Sequence, residues 1–256
     1  MSGRAAVLEA RGLVKRFGGV TAVDDVSLAV GAGEMLALIG PNGAGKSTCF
    51  NLLNGQLRAD RGEILLDGRA LAGLPPRAIW RLGVGRTFQI TATFASMTVR
   101  ENVQVALLSH HHRIWGFWRA ARRAFVAEAN TLLAQVGMLE QADRPCGVLA
   151  YGDLKRVELA IALANNPKLL LMDEPTAGMA PAERLALMDL TRRLVRDRRI
   201  ACLFTEHDMD VVFGHADRIL VMNRGRLIAE GDAATVRADS AVREVYLGSG
   251  AAFSGH

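Results

Sequence analysis

Cysteine, lysine and long apolar runs are all scarce in this 256-residue chain, and each scarcity removes a class of protein. The three cysteines, Cys49, Cys146 and Cys202, are an odd, scattered set without Cys-x-x-Cys spacing. That pattern excludes a disulfide framework and a zinc knuckle, and a reducing, cytosolic compartment is the natural expectation. Lysine occurs only at positions 15, 46, 155 and 168, so arginine carries nearly all of the basic charge. The net charge is +5, yet the arginines are spread out with acids interleaved, and there is no basic run of the nucleic-acid type. The most apolar run, residues 161–172, is broken by Asn165, Asn166, Pro167 and Lys168. It falls far short of the roughly 20 residues that a membrane-spanning helix needs. Residues 1–9 hold Arg4 and a few alanines but no apolar stretch fit for a signal peptide. If the protein serves a membrane, other chains must cross it.

What is present is material for a core. Half of the residues (50%) are hydrophobic, enough for one large domain or a domain with an inserted subdomain. Residues 7–14 and 26–30 alternate or cluster apolar side chains, and the Gly31-Ala32-Gly33 turn leads into Met35-Leu36-Ala37-Leu38-Ile39, which reads as a buried strand. Residues 46–54 are helical in pattern, and 63–66 read as a strand closed by the Asp67-Gly68 turn. Residues 98–137 change character: helix formers dominate, opening on Thr98-Val99-Arg100-Glu101, the pattern of a capping box. After that insert the α/β rhythm resumes, with a helix at about 154–164, a strand at 169–172, a helix after Pro181 and a strand at 201–205. A hairpin of 219–222 and 227–230 turns at Asn223-Arg224-Gly225-Arg226, and residues 249–256 read as a loose tail.

The segment Gly40-Pro41-Asn42-Gly43-Ala44-Gly45-Lys46-Ser47 fits the phosphate-binding loop G-x-x-x-x-G-K-[ST], with a strand before it and a helix after it. Glycines let backbone N–H groups turn inward as an anion nest at a helix N-terminus. Lys46 then neutralises β/γ-phosphate charge, and the Ser47 hydroxyl can hold Mg²⁺. Cys49, just past the loop, reads as core packing. Further on, Leu169-Leu170-Leu171-Met172-Asp173-Glu174 is an apolar strand ending in two acids. That is what a Walker B segment requires: Asp173 reaches the metal shell, and Glu174 polarises the attacking water.

Shortly before that strand stands Leu149-Ala150-Tyr151-Gly152-Asp153, which resembles the ABC signature motif. With it the order of motifs resembles the ATP-binding subunits of ABC transporters over roughly residues 7–248. The resemblance implies an α/β fold: a RecA-like P-loop NTPase core with a mostly parallel sheet, an N-terminal antiparallel β subdomain, and an α-helical subdomain inserted at about 90–165. It also assigns roles to residues. Gln89, in Arg86-Thr87-Phe88-Gln89, is similar to the glutamine that senses γ-phosphate and metal, and His207, in Thr205-Glu206-His207-Asp208, to the switch histidine. Phe17 matches the aromatic that stacks on adenine, and the loop contacts extend from Gly40 through Thr48. Ser47, Gln89 and Asp173 would organise Mg²⁺, while Lys46, Gln89, Glu174 and His207 would act on ATP. The signature residues 149–153 would act on ATP held by a second, related ATP-binding subunit, in a homo- or heterodimer.

The segments Arg86-Thr87-Phe88-Gln89, the Tyr151-Gly152 signature and Met172-Asp173-Glu174-Pro175-Thr176-Ala177-Gly178, with the ending Val245-Tyr246-Leu247-Gly248, resemble the motor subunits of branched-chain amino acid importers in particular. That resemblance implies two transmembrane permease subunits, a solute-binding protein, and a peripheral place on the cytoplasmic face of a bacterial inner membrane. A soluble ABC-type ATPase acting on nucleic acid or ribosomes is the alternative, but such proteins carry long coiled coils or two ATPase halves in one chain. Two places depart from the family pattern. Ala150 stands where the signature usually has a serine, and Met179-Ala180 where many relatives have an aspartate, so unequal ATP sites in an asymmetric pair are expected. In the segment His110-His111-His112-Arg113-Ile114-Trp115-Gly116-Phe117-Trp118 the histidines could hold a metal. Trp115 and Trp118 could face a permease or headgroups, or pack between helices.

Overall fold

A computed structural model describes residues 6–87, 93–111 and 124–247. Two sheets organise it. The first is antiparallel, in the order β2-β1-β4-β5, from β1 (Ala6–Phe17), β2 (Val20–Gly31), β4 (Arg61–Leu66) and β5 (Arg69–Ala70). Its register sets Leu8 opposite Val30, Ala10 opposite Leu28 and Leu13 opposite Val26, so these apolar residues line one face.

The second sheet has the order β10-β9-β3-β8-β7-β6. Its strands are β3 (Met35–Ile39), β6 (Val84–Thr87), β7 (Leu169–Asp173), β8 (Ala201–Thr205), β9 (Arg218–Asn223) and β10 (Arg226–Gly231). All pair in parallel except β10, which returns antiparallel on β9 as the hairpin expected at Asn223-Arg224-Gly225-Arg226. Every residue of β3, β7 and β8 is buried, which is why these strands read as unbroken apolar runs. Alternate side chains feed two different cores. Met35, Ala37, Ile39, Leu170, Met172 and Phe204 face one, while Leu36, Leu38, Leu169, Leu171 and Leu203 face the other, which joins the antiparallel sheet.

The helices are α1 (Lys46–Leu53), α2 (Pro76–Arg81), α3 (Val99–His110), α4 (Val126–Gln135), α5 (Tyr151–Leu163), α6 (Pro181–Arg198), α7 (Met209–His215), α8 (Ala233–Ala238) and α9 (Ser240–Leu247). The capping box at the start of α3 is complete: Thr98 Oγ1 accepts from Glu101 N at 3.1 Å, and Thr98 N donates to Glu101 Oε2 at 3.0 Å. Val103 and Leu107 of α3, Leu133 of α4 and Val157 of α5 pack in one core. Among the described residues no helix is long and apolar enough to cross a membrane.

Two elements that position the site carried no clear signal in the sequence. Strand β6 is four residues long and contains Gly85 and Arg86, so neither alternation nor an apolar run marks it. Its glycine is a packing requirement, because a Cβ there would lie 2.6 Å from the Ala162 carbonyl oxygen of α5. Helix α2 has only six residues. The tail expected at 249–256 lies outside the described residues.

Candidate functional site

Three parallel strands, β3, β8 and β7, lie side by side, so their carboxyl ends open on one edge, where ligands bind in sheets of this kind. From β3 the chain enters the loop Gly40–Gly45 and then α1. Gly40, Gly43 and Gly45 have φ of 153°, 78° and 106°. At two of them space is as decisive as backbone angle: a Cβ on Gly40 would lie 2.1 Å from the Met222 carbonyl oxygen, and one on Gly45 would lie 2.3 Å from that of Ala22. The hairpin turn buttresses the loop through Gly225 N, which donates to Ala44 O at 2.9 Å.

Lys46 is 8% exposed and folds over the loop, its Nζ donating to the carbonyls of Gly40 at 2.7 Å and Pro41 at 3.1 Å. Burial pulls the pKa of its ammonium down, against the opposing pull of Glu174 and Asp173. Helix α1 has no acidic residue in its first turn, leaving its N-terminal field open to an anion. Ser47 is exposed and Thr48 half-buried on that turn. Cys49 is fully buried, which pushes its thiol up to about 12, so it packs as expected and is not a reactive group.

The acids meet this loop from β7. Asp173 Oδ1 accepts from the Thr205 hydroxyl of β8 at 2.7 Å, and Oδ2 lies 3.8 Å from the Arg86 guanidinium on β6. Glu174 follows in the left-handed region at φ 49°, an uncommon conformation for a side-chain-bearing residue. It is held there because Glu174 N donates to both the hydroxyl and the carbonyl of Thr205, at 3.0 and 3.2 Å. In that pose Glu174 Oε1 lies 2.8 Å from His207 Nε2.

The sequence had offered Glu174 and His207 separately, and the β7–β8 register, with Asp173 beside Thr205, brings them together. It had offered no role for the residues that hold them, Thr205, Glu206, Thr176 and Arg86. Glu206 is 4% exposed; its Oε1 accepts from Thr176 N at 2.8 Å and Thr176 Oγ1 at 2.7 Å, and its Oε2 from His207 N at 3.3 Å. Burial raises its carboxyl pKa, against the lowering effect of those donors.

Other expected positions fall as follows. Phe17, at the end of β1, is exposed on one side, with Lys15 Nζ 5.6 Å from its ring centroid. Leu149 precedes Ala150, which is the N-cap of α5, with φ −62° and ψ 153° and no side-chain cap. Tyr151 is half exposed, under Lys155 Nζ at 5.3 Å and against Gly178. Gly152 is buried, where a Cβ would lie 3.1 Å from the Glu183 carboxylate. Asp153 occupies the first turn of α5. Ala180 caps α6 without a side-chain bond, and Arg184 ties that turn down through Met179 O and Asp208.

Gln89 lies outside the described residues, as do His112, Trp115 and Trp118. His110 and His111 pack with aromatics, His110 edge-on to Trp80 and His111 stacked on Phe125. Among the described residues no group of three metal-ligating side chains is present.

An uncapped α5 makes a direct prediction. In Ala150→Ser the hydroxyl can accept from the Asp153 amide, and we expect about 0.5–2 kcal/mol of added stability. Thermal unfolding would check it, with an expected rise of several degrees; an unchanged or lower midpoint would rule the cap out.

With that geometry in hand, the resemblances to known proteins are close. The family described as ABC transporter matches residues 23–177, and that described as Branched-chain amino acid ATP-binding cassette transporter matches residues 226–252. The chain is 42% identical over 250 residues to the High-affinity branched-chain amino acid transport ATP-binding protein LivG of Escherichia coli, covering 94% of this chain and 98% of that protein. To the corresponding protein BraF of Pseudomonas aeruginosa it is 39% identical over 251 residues, again covering 94% and 98%. The crystal structure of the ADP conformation of MJ1267, an ATP-binding cassette of an ABC transporter, matches with a TM-score of 0.84 at 33% identity. That match covers 95% of this chain and 99% of the other.

Proposed function

The chain belongs to the ABC transporter family as one of its ATP-binding, ATP-hydrolysing subunits, and on that premise we propose how its residues perform the reaction and what it drives. The reaction is ATP + H₂O to ADP + phosphate, with catalysis by positioning and electrostatics. Lys46 and the backbone N–H groups of the loop from Gly40 to Thr48, of which Pro41 has none, hold the phosphates, and Phe17 offers its exposed face to the adenine. Glu174 takes the proton of the attacking water as its oxygen approaches the γ-phosphorus. His207, hydrogen-bonded to Glu174 through Nε2, holds that carboxylate in line with the attacked γ-phosphate and so steadies it.

A magnesium ion fits the residues present. Ser47 is an exposed hydroxyl on the first turn of α1, Asp173 is a carboxylate, and such oxygen donors are what this hard cation selects. Ser47, Asp173 and Gln89 would hold it, and it would offset charge on the phosphates.

The observation that carries the reading is the Glu174–His207 pair, held at 2.8 Å beside the loop that carries Lys46. The solute is proposed from the relatives: branched-chain amino acids or related small organic solutes. Permease subunits, a solute-binding protein and a second ATP-binding subunit complete the complex, with this chain peripheral on the cytoplasmic face of a bacterial inner membrane. Uptake of labelled leucine by vesicles carrying the complex tests this. ATP-dependent accumulation that stops when Glu174 is replaced supports it; ATP hydrolysis unaffected by any solute-loaded binding protein counts against it.

Ala150 bears on the second subunit, because its methyl cannot donate to a phosphate across the dimer. A charge-assisted bond is worth about 1.5–3 kcal/mol, so Ala150→Ser should raise turnover of the assembled pair about tenfold or more if the partner's site limits the rate. An unchanged rate removes the idea of unequal sites.

A further inference from the structure

We propose that Glu206 is a positioning residue for ATP hydrolysis: it clamps the loop after Glu174 to the loop that carries His207, and so fixes the separation of that pair. The inference rests on the roles given to Glu174 and His207 above and adds a residue to which they assign nothing.

The clamp joins two segments 30 residues apart in sequence. One carboxylate oxygen, Oε1, takes both donors of Thr176, its backbone N–H and its hydroxyl. The other, Oε2, takes the N–H of His207. Thr176 is two residues beyond Glu174, and Glu206 immediately precedes His207, so both ends of the clamp are anchored next to the reacting side chains.

Glu174 has its own reason to need such support. Its backbone sits in the left-handed region, a conformation that persists only where neighbours over-determine it. Thr205 fixes the N–H of Glu174 from one side. The clamp fixes Thr176, whose carbonyl in turn accepts from Met179 N at 3.1 Å, while Ala177 N donates to Glu174 O at 3.2 Å. The whole turn from Glu174 to Met179 is therefore referenced to Thr205 and Glu206. A carboxylate at 4% exposure is a costly way to fill space. Its accepting geometry is the feature that an apolar residue of similar size lacks.

The test uses the full-length chain with Glu206→Ala, Glu206→Gln, Thr176→Val and Thr176→Ser, read by kcat, KM, ATP affinity in EDTA and thermal midpoint. Glu206→Ala is expected to lower kcat about 10- to 100-fold, the scale of a displaced catalytic group. KM and ATP affinity should stay within about threefold, the signature of an interaction expressed in the transition state. Thr176→Val should lower kcat in the same direction, Thr176→Ser should restore it, and Glu206→Ala with Thr176→Val should be no worse than Glu206→Ala alone.

Glu206→Gln keeps an acceptor for Thr176 but turns an amide toward His207 N–H, and should fall between. Should Glu206→Ala fail to fold, Glu206→Gln and Thr176→Val carry the comparison. Wild-type kcat in these variants overturns the proposal, as do multiplicative effects of the pair, or kcat, affinity and midpoint falling together. A second readout is independent of turnover: the rate at which diethylpyrocarbonate modifies His207 should rise several-fold in Glu206→Ala and Thr176→Val, and an unchanged rate overturns the clamp. Absence of phosphate release by the wild type would instead defeat the catalytic reading, and the modification rates would still decide the clamp.

Discussion

Glu174→Gln is expected to leave ATP bound and unhydrolysed, with phosphate release lowered about 100- to 10,000-fold, the range of a lost general base. The substitution is close to silent structurally. Glutamine has the same length, its amide oxygen can still accept at the position of Oε1, and the backbone bonds from Glu174 N to Thr205 do not involve the side chain. What disappears is the negative charge and the basicity. Although that charge also supports the ammonium of Lys46, bound phosphates supply the same support, and ATP affinity should hold or rise slightly because they no longer face a second anion. Phosphate release and titration with a fluorescent ATP analogue separate the two effects. A variant that binds and hydrolyses like the wild type would remove Glu174 from the mechanism. His207→Ala should also be severe, and adding it to Glu174→Gln should cost little more, as expected of groups acting as a unit.

Lys46→Ala is expected to act on binding. Its Nζ lies against the Gly40 and Pro41 carbonyls and, at 8% exposure, in surroundings where charge is poorly screened by water. Each charge-assisted bond to phosphate contributes about 1.5–3 kcal/mol, so losing one or two should weaken ATP affinity by about 10-fold to more than 100-fold. Lys46→Arg should not restore it, because a planar guanidinium is bulkier and cannot follow the turn of the ammonium into this niche. Equilibrium titration checks both variants. Affinity near that of the wild type in Lys46→Ala would mean that the loop does not cradle the phosphates.

Much of this site was legible in the sequence because its signals are local. Gly40 to Ser47 is a contiguous pattern, β3 and β7 are apolar runs buried on both faces, and the turn at Gly225 is a short-range signal. Asp173 at the end of β7 and Glu174 just after it needed only that place to be noticed. What stayed hidden depends on register. Thr205 reaches Asp173 and Glu174 because β7 and β8 pair with those residues side by side, and no spacing announces a contact across 32 residues. Arg86 lies on a four-residue strand with a glycine in it, so its approach to Asp173 had no periodicity to reveal it. Glu206 was hidden by its neighbour: the histidine beside it drew the functional reading, and only burial and the two Thr176 bonds set the carboxylate apart. Ala150 shows the reverse. The sequence marked a missing hydroxyl, and the fold shows that the same absence leaves a helix uncapped.

ATP turnover by this chain is expected to need a magnesium ion held by its own residues. Phosphate release per chain from ATP, measured with Mg²⁺ and again with EDTA in the assembled complex, tests it most directly. Many phosphates released per chain are expected with Mg²⁺ and none in EDTA, although ATP remains bound. Release that continues in EDTA, or no release with Mg²⁺ from a chain that binds ATP, would contradict it.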